Sequence, residues 1–127
     1  FKFKRLDLQM YIGQLAALTG ATPKAIRHYE KLGLLPVAKR QGKYRVYENL
    51  DVQSVKMIRL AQSVGFSLAE LYDLSVLKYA QKSFPLDVAQ SLIQQKQQHI
   101  LAHRKQLDDL EHNLKQLEHE LLKTYGV

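Results

Sequence analysis

The sequence predicts a mainly α protein: a winged helix-turn-helix N-terminal domain with a two-stranded wing, followed by a long dimerisation helix that forms an antiparallel coiled coil. Three observations carry this. Two short helical stretches flank the turn "TGAT", two strand-like runs flank "KRQGK", and an apolar residue returns at every seventh position from Leu86 to Leu121. The expected organisation is an extension over residues 1–9, the winged domain over 10–80, and a joint with the coiled-coil helix over 81–127.

In "YIGQLAAL", Ile12, Leu15, Ala16 and Leu18 recur at helical spacing, which gives the first helix. The second begins at Pro23, whose missing N–H has no partner to lose at the first helical position, and Thr22 before it can accept from a first-turn amide. Ala25, Ile26, Tyr29 and Leu32 form its inner stripe, and Gly33 supplies the left-handed residue past its end. Two helices joined by a short Gly-containing turn match the helix-turn-helix pattern. Tyr44, Val46 and Tyr47 favour an extended strand after "KRQGK", with Tyr47 packed inward.

A third helix is expected from about Asp51 to Val64, covering a core face with Val52, Val55, Met57, Ile58 and Leu60. "SLAE" at 67–70 is a capping box that opens a fourth, with Leu68, Leu71, Tyr72, Leu74 and Leu77 inward. The polar "KYAQKSFP" is a joint, and Pro85 opens the last helix. Its seam runs through Leu86, Ile93, Ile100, Leu107, Leu114 and Leu121, with Leu110 and Leu117 in a second row that is apolar mainly towards the C-terminus.

From Leu86 to Thr124 that helix would extend roughly 58 Å, longer than so small a domain can cover. It needs a second copy. Residues 86–105 carry Lys96, Arg104 and Lys105 against Asp87, whereas 106–124 carry five acids against Lys115 and Lys123, so antiparallel pairing sets +2 against −3. Parallel pairing would stack Lys96 and His103 on their own copies inside the seam. The residues assigned to dimerisation are Ile93, Ile100, Leu107, Leu110, Leu114, Leu117 and Leu121; the alternative is a helix folded back on its own domain.

Charge narrows the function. Residues 1–59 hold 12 Lys and Arg against 4 acids, and residues 60–127 hold 7 against 8, so the whole positive excess lies in the first half. That suits a polyanion. A membrane surface fits less well, because the cations are spread over a helix, a turn and a ribbon rather than opposite a broad apolar face. No apolar run reaches the roughly 18 residues of a membrane span, and a soluble, cytoplasmic protein is expected.

The absence of cysteine excludes disulfides, thiolate metal sites and thiol switches within the chain. Neither a phosphate-binding Gly-rich loop nor a zinc-protease motif is present, so catalysis and cofactors are not expected. His99 and His103 share one helix face, but two imidazoles without a third ligand do not make a metal site.

The candidate DNA-binding residues are Thr22, Lys24, Ala25, Arg27 and His28 of the second helix, with Arg40, Lys43, Tyr44 and Arg45 of the wing. The first two turns of a second helix are where base edges are read in the major groove, and a cationic hairpin can track the sugar–phosphate backbone. Two other readings remain open on these residues alone: an architectural DNA binder without promoter specificity, and a coiled-coil interaction module whose basic lobe docks on an acidic protein.

"YIGQLAALTGATPKAIRHYEKLGLLP", then "RQGKYRVY", "LDV" and "GFSLAEL", closely resembles the MerR family of bacterial winged-helix transcription regulators over about residues 10–77, and the terminal helix resembles that family's dimerisation helix. The resemblance implies a homodimer on a pseudo-palindromic promoter operator, often bending and untwisting an overlong spacer for RNA polymerase. It places Arg27, His28 and Tyr29 in the family's Arg-aromatic-Tyr segment, and Tyr44 with Arg45 in its wing motif. His28 replaces the commoner Tyr or Phe. Lys43 separates Gly42 from Tyr44, in a loop one residue shorter than usual, and Met10 stands at the family's initiator position. Metal- and redox-sensing members use cysteines absent here, and drug-sensing members carry a further C-terminal domain for which the chain is expected to have no room. The effector is therefore open.

Overall fold

The computed structural model describes residues 9–127, so the extension expected over 1–9 lies, apart from Gln9, outside the described residues. The chain forms two units, one reaching Pro85 and one from Leu86 to Val127. In order, the first holds α1 (Ile12–Thr19), α2 (Pro23–Lys31), β1 (Lys39–Gln41), β2 (Tyr44–Val46), α3 (Asn49–Ser63) and α4 (Leu68–Gln81). The second is α5 (Leu86–Tyr125).

The local signals act as the residues suggest. The Tyr11 N–H donates to Gln14 Oε1 at the start of α1, and Gly20, with φ 77°, ends it by returning its N–H to the Ala16 carbonyl at 2.8 Å. Thr22 Oγ1 accepts from the Ala25 N–H at 3.0 Å, with Pro23 behind it, so α2 starts at once. Gly33 takes φ 79° beyond its end, and the Leu34 N–H then reaches the Tyr29 carbonyl at 2.9 Å. The Ser67–Glu70 box opens α4 reciprocally, at 3.1 Å and 3.0 Å.

Met10, Leu15, Ala21, Ile26, Tyr29, Leu35, Tyr47, Val55 and Ile58 make one core. Full burial of a side chain such as Leu15 or Ile26 contributes about 1.5–3 kcal/mol, so these residues hold the helix-turn-helix against α3. Tyr29 adds a polar tie, its hydroxyl donating to Gln62 Oε1 of α3 at 2.9 Å.

Three helices differ in part from expectation. Met57 and Leu60 of α3 are 66% and 60% exposed, because at 3.6 residues per turn they lie about 140° or more round the helix from Val55. The inward row is Val52, Val55 and Ile58, i, i+3 and i+6, the first half-buried and the other two buried, and a second apolar row lies on the far side with Leu50 and, at the C-cap, Val64. In α4, Leu74 is buried and Leu68 and Leu71 are half-buried, whereas Tyr72 and Leu77 stand about 100–120° round the helix from Leu71, the middle of that row, and are exposed. Leu18 of α1 is exposed for the same reason.

The hairpin pairs Lys39 with Val46, Arg40 with Arg45 and Gln41 with Tyr44, closed by Gly42 and Lys43 alone. Gly42, at φ 65°, takes the first of the two loop positions, where a tight hairpin turn of this kind needs glycine. This is how the shortened loop is accommodated. Past β2, Tyr47 and Met10 exchange both backbone hydrogen bonds, at 2.9 Å and 2.8 Å, anchoring the start of the described chain to the base of the wing.

Asp51 caps α3 by accepting the Glu48 N–H at 2.8 Å. Its carboxyl is pushed above the usual range, first by burial and then by the nearby Glu48 and Glu30 charges, against the lowering effect of that hydrogen bond. A carboxyl raised in the fold contributes stability below its unfolded pKa that is lost as pH rises through the folded value. Asp51→Asn keeps an acceptor and discards the charge. Its urea midpoint at pH 7 is therefore expected to be no lower than that of the wild type, with any gain vanishing near pH 3; a clearly lower midpoint at pH 7 would count against this account.

Candidate nucleic-acid interface

Helix α2 buries Ile26 and Tyr29, so its opposite face must point to solvent. Thr22, Lys24, Arg27, His28 and Lys31 are exposed there, Ala25 is half-buried at the rim, and all six line one shallow, open depression. Among the described residues, neither Lys24, Arg27 nor Lys31 pairs with an acid. The cations are uncommitted.

The wing gathers a second set. Arg40, Lys43 and Tyr44 are exposed, and Arg45 is half-buried. Arg40 and Arg45 are directly opposed across the two strands, an arrangement in which like charges repel. Part of that repulsion is offset locally: Arg40 Nη1 donates to the Lys43 carbonyl at 3.2 Å, Arg45 Nε lies 3.7 Å from Glu30 Oε2, and Lys39 Nζ lies 4.0 Å from Glu48 Oε2. A hairpin that crowds three cations onto two of its three residue pairs is a poor choice for folding alone, and such local conflicts are expected where a surface meets an anion.

Sequence reasoning missed three participants. Tyr11 stacks at an angle on Tyr44, ring centroids 5.7 Å apart and planes at 54°, while Lys43 Nζ lies 5.9 Å from the Tyr44 ring. The guanidinium of Arg59, from α3, lies over the turn between α1 and α2, close enough that a Cβ at Gly20 would meet Nη2 at 3.5 Å. Glu30 turns from α2 towards the wing. An aromatic just before the first helix and an acid in an otherwise basic helix were the available signals, but their partners lie 33 and 17 positions away in the chain, at Tyr44 and Tyr47. No linear pattern joins them.

Tyr47 lies at the base of the same cluster. Burial, then its hydrogen bond to Glu30 and that residue's charge, push its phenol well above the ordinary range, so it stays protonated and donates.

The profile of the MerR HTH family of regulatory proteins matches residues 10–75, and the MerR DNA-binding profile matches residues 52–117. The chain belongs to the MerR family. The HTH-type transcriptional regulator ZntR of Escherichia coli (strain K12) is 30% identical over 107 residues, covering 84% of this chain and 76% of that protein. The nodulation protein NolA of Bradyrhizobium elkanii is 44% identical over 61 residues, 47% of this chain and 28% of NolA.

Among solved structures, PbrR691 from Ralstonia metallidurans CH34, in complex with lead(II), aligns with a TM-score of 0.65 at 25% identity over 87% of this chain and 86% of that one. HiNmlR, a MerR-family regulator lacking the sensor domain and bound to promoter DNA, shares the fold with a TM-score of 0.62 at 21% identity, over 94% and 92% of the two chains. As a MerR-family protein the chain is a DNA-binding transcription regulator and not an enzyme. Within the described residues no helix is long and apolar enough to cross a membrane.

Proposed function

We propose that this MerR-family chain works in the cytoplasm as a homodimer on a pseudo-palindromic promoter operator, with α2 reading bases and the wing holding the backbone. The observation that carries this is the row of unpaired cations on the open face of α2, beside a hairpin whose arginines oppose one another. Arg27 and Lys24 have the reach and donors for guanine edges, while Thr22, Ala25 and His28 complete the surface that enters the major groove. Arg40, Lys43, Tyr44 and Arg45 meet sugar and phosphate.

The seven exposed apolar residues Ile93, Ile100, Leu107, Leu110, Leu114, Leu117 and Leu121 support an antiparallel pairing of α5 with a second copy. A pair of lobes held at one separation can also bend and untwist the DNA between half-sites, which makes spacer deformability part of the recognition and RNA polymerase the partner that uses the reshaped promoter. The signal is a separate matter: these 127 residues include no cysteine to serve as a thiolate ligand.

Selection of bound duplexes from a random pool tests the proposal directly. Two inverted half-sites at one fixed spacing are expected. A single unrepeated site, or enrichment with no sequence in common, would replace it with a monomeric or an architectural binder.

A further inference from the structure

Glu30 is the only acid on α2, and its side chain is 10% exposed. Its carboxylate holds three points of the wing. Oε1 accepts from the Tyr47 hydroxyl just past β2, and Oε2 accepts from the Ala38 N–H just before β1, at 3.2 Å, while lying 3.7 Å from Arg45 Nε within β2. Both ends of the hairpin and its inner arginine therefore converge on one group of the second helix.

We infer that Glu30 is a positioning residue for DNA binding, locking the wing to α2 and aiming Arg45; this rests on the reading of the wing as a phosphate-holding element. A nearly buried carboxylate that loses its donors is left charged and unsatisfied, so the hairpin cannot swing away from α2 without stranding it. The two elements move as one body. Ordering the wing before DNA arrives removes an ordering cost from the binding step. The ion pair also engages Arg45 through Nε and leaves both Nη groups, four of its five N–H donors, for another acceptor. It further offsets the repulsion from Arg40 across the strand pair.

Glu30→Gln in the full chain separates position from charge. The amide can still accept from Tyr47, but its nitrogen cannot accept from Ala38 or attract Arg45. Losing a negative charge would by itself tighten binding to a polyanion, so weaker binding reports misplacement. Amide hydrogen exchange over residues 38–46 in the DNA-free protein is expected to speed up about tenfold, with α1 and α3 unchanged. Affinity for the selected duplex is expected to fall about tenfold, and the log–log salt slope to shrink by about 2, one phosphate per wing in a dimer.

Tyr47→Phe removes one of the three ties, and is expected to speed wing exchange about threefold while keeping the salt slope; it carries the test if the Gln variant fails to fold. Wild-type exchange over 38–46 in both variants, or a Glu30→Gln variant with wild-type slope and affinity, overturns the inference. Failure of the wild-type chain to bind any duplex instead rejects the DNA reading, and the exchange measurement still decides whether Glu30 holds the wing.

Discussion

Replacing Leu107 and Leu114 together by Asp is expected to leave the chain a monomer and to weaken operator binding by about a thousandfold or more. The reason begins with α5, a single helix of 40 residues and hence about 60 Å, along which Ile93, Ile100, Leu107, Leu110, Leu114, Leu117 and Leu121 are all exposed in one chain. Buried in a paired seam, each contributes about 1.5–3 kcal/mol, and fourteen such residues exceed an association cost of about 4–15 kcal/mol. Four carboxylates placed in that seam reverse the balance, because each must be desolvated without a partner.

Separating the lobes then changes the binding itself. One basic lobe alone binds DNA at about the non-specific level, 10⁻⁴–10⁻⁶ M, whereas a tethered second lobe acts at an effective concentration in the millimolar range. Sedimentation at micromolar concentration, with a fluorescence titration of the selected duplex, reads both effects. A variant that still sediments as a dimer removes the proposed seam; a monomer with wild-type affinity removes the need for two lobes.

What could be seen in the sequence, and what could not, follows from the range of each interaction. Thr22 with Pro23, Ser67 with Glu70, and Gly33 act within a turn of helix, so residue type and spacing were enough to place them. The seven-residue repeat of α5 was equally legible, being a property of one continuous helix. The sequence places Met57, Leu60, Tyr72 and Leu77 inward because apolar content alone does not say which of two apolar faces meets the core. The packing of α3 through Val52, Val55 and Ile58 decides that, and it depends on α1 lying alongside. Glu30 was invisible for a related reason. An acid on a basic helix looks like a solvated face until Ala38, Arg45 and Tyr47 are folded onto it, so the sequence does not show that α2 and the wing share one nearly buried carboxylate.

Arg27→Ala is expected to cost more than any single wing substitution, and the order follows from what each guanidinium already holds. Arg45 shares its Nε with Glu30, and Arg40 donates to the Lys43 carbonyl, whereas Arg27 has no such partner among the described residues. All five of its donors are free for the groove. A bidentate contact to guanine discriminates by about 1–3 kcal/mol, so the loss from two half-sites is about 2–6 kcal/mol, roughly 30-fold to 20,000-fold in affinity. The salt dependence identifies the kind of contact that was lost. If Arg27 reads a base, specific affinity falls, one position of each half-site relaxes, and the log–log slope stays as it was. If it holds a phosphate, all duplexes weaken alike and the slope shrinks by about 2 for the dimer. Lys24→Ala tested in parallel places the neighbouring contact on the same scale, since it faces the same depression from the preceding turn. Unchanged affinity and selectivity in both variants would remove α2 from the interface and leave the wing to bind alone, a sequence-blind contact that a family of transcription regulators could not use to choose a promoter.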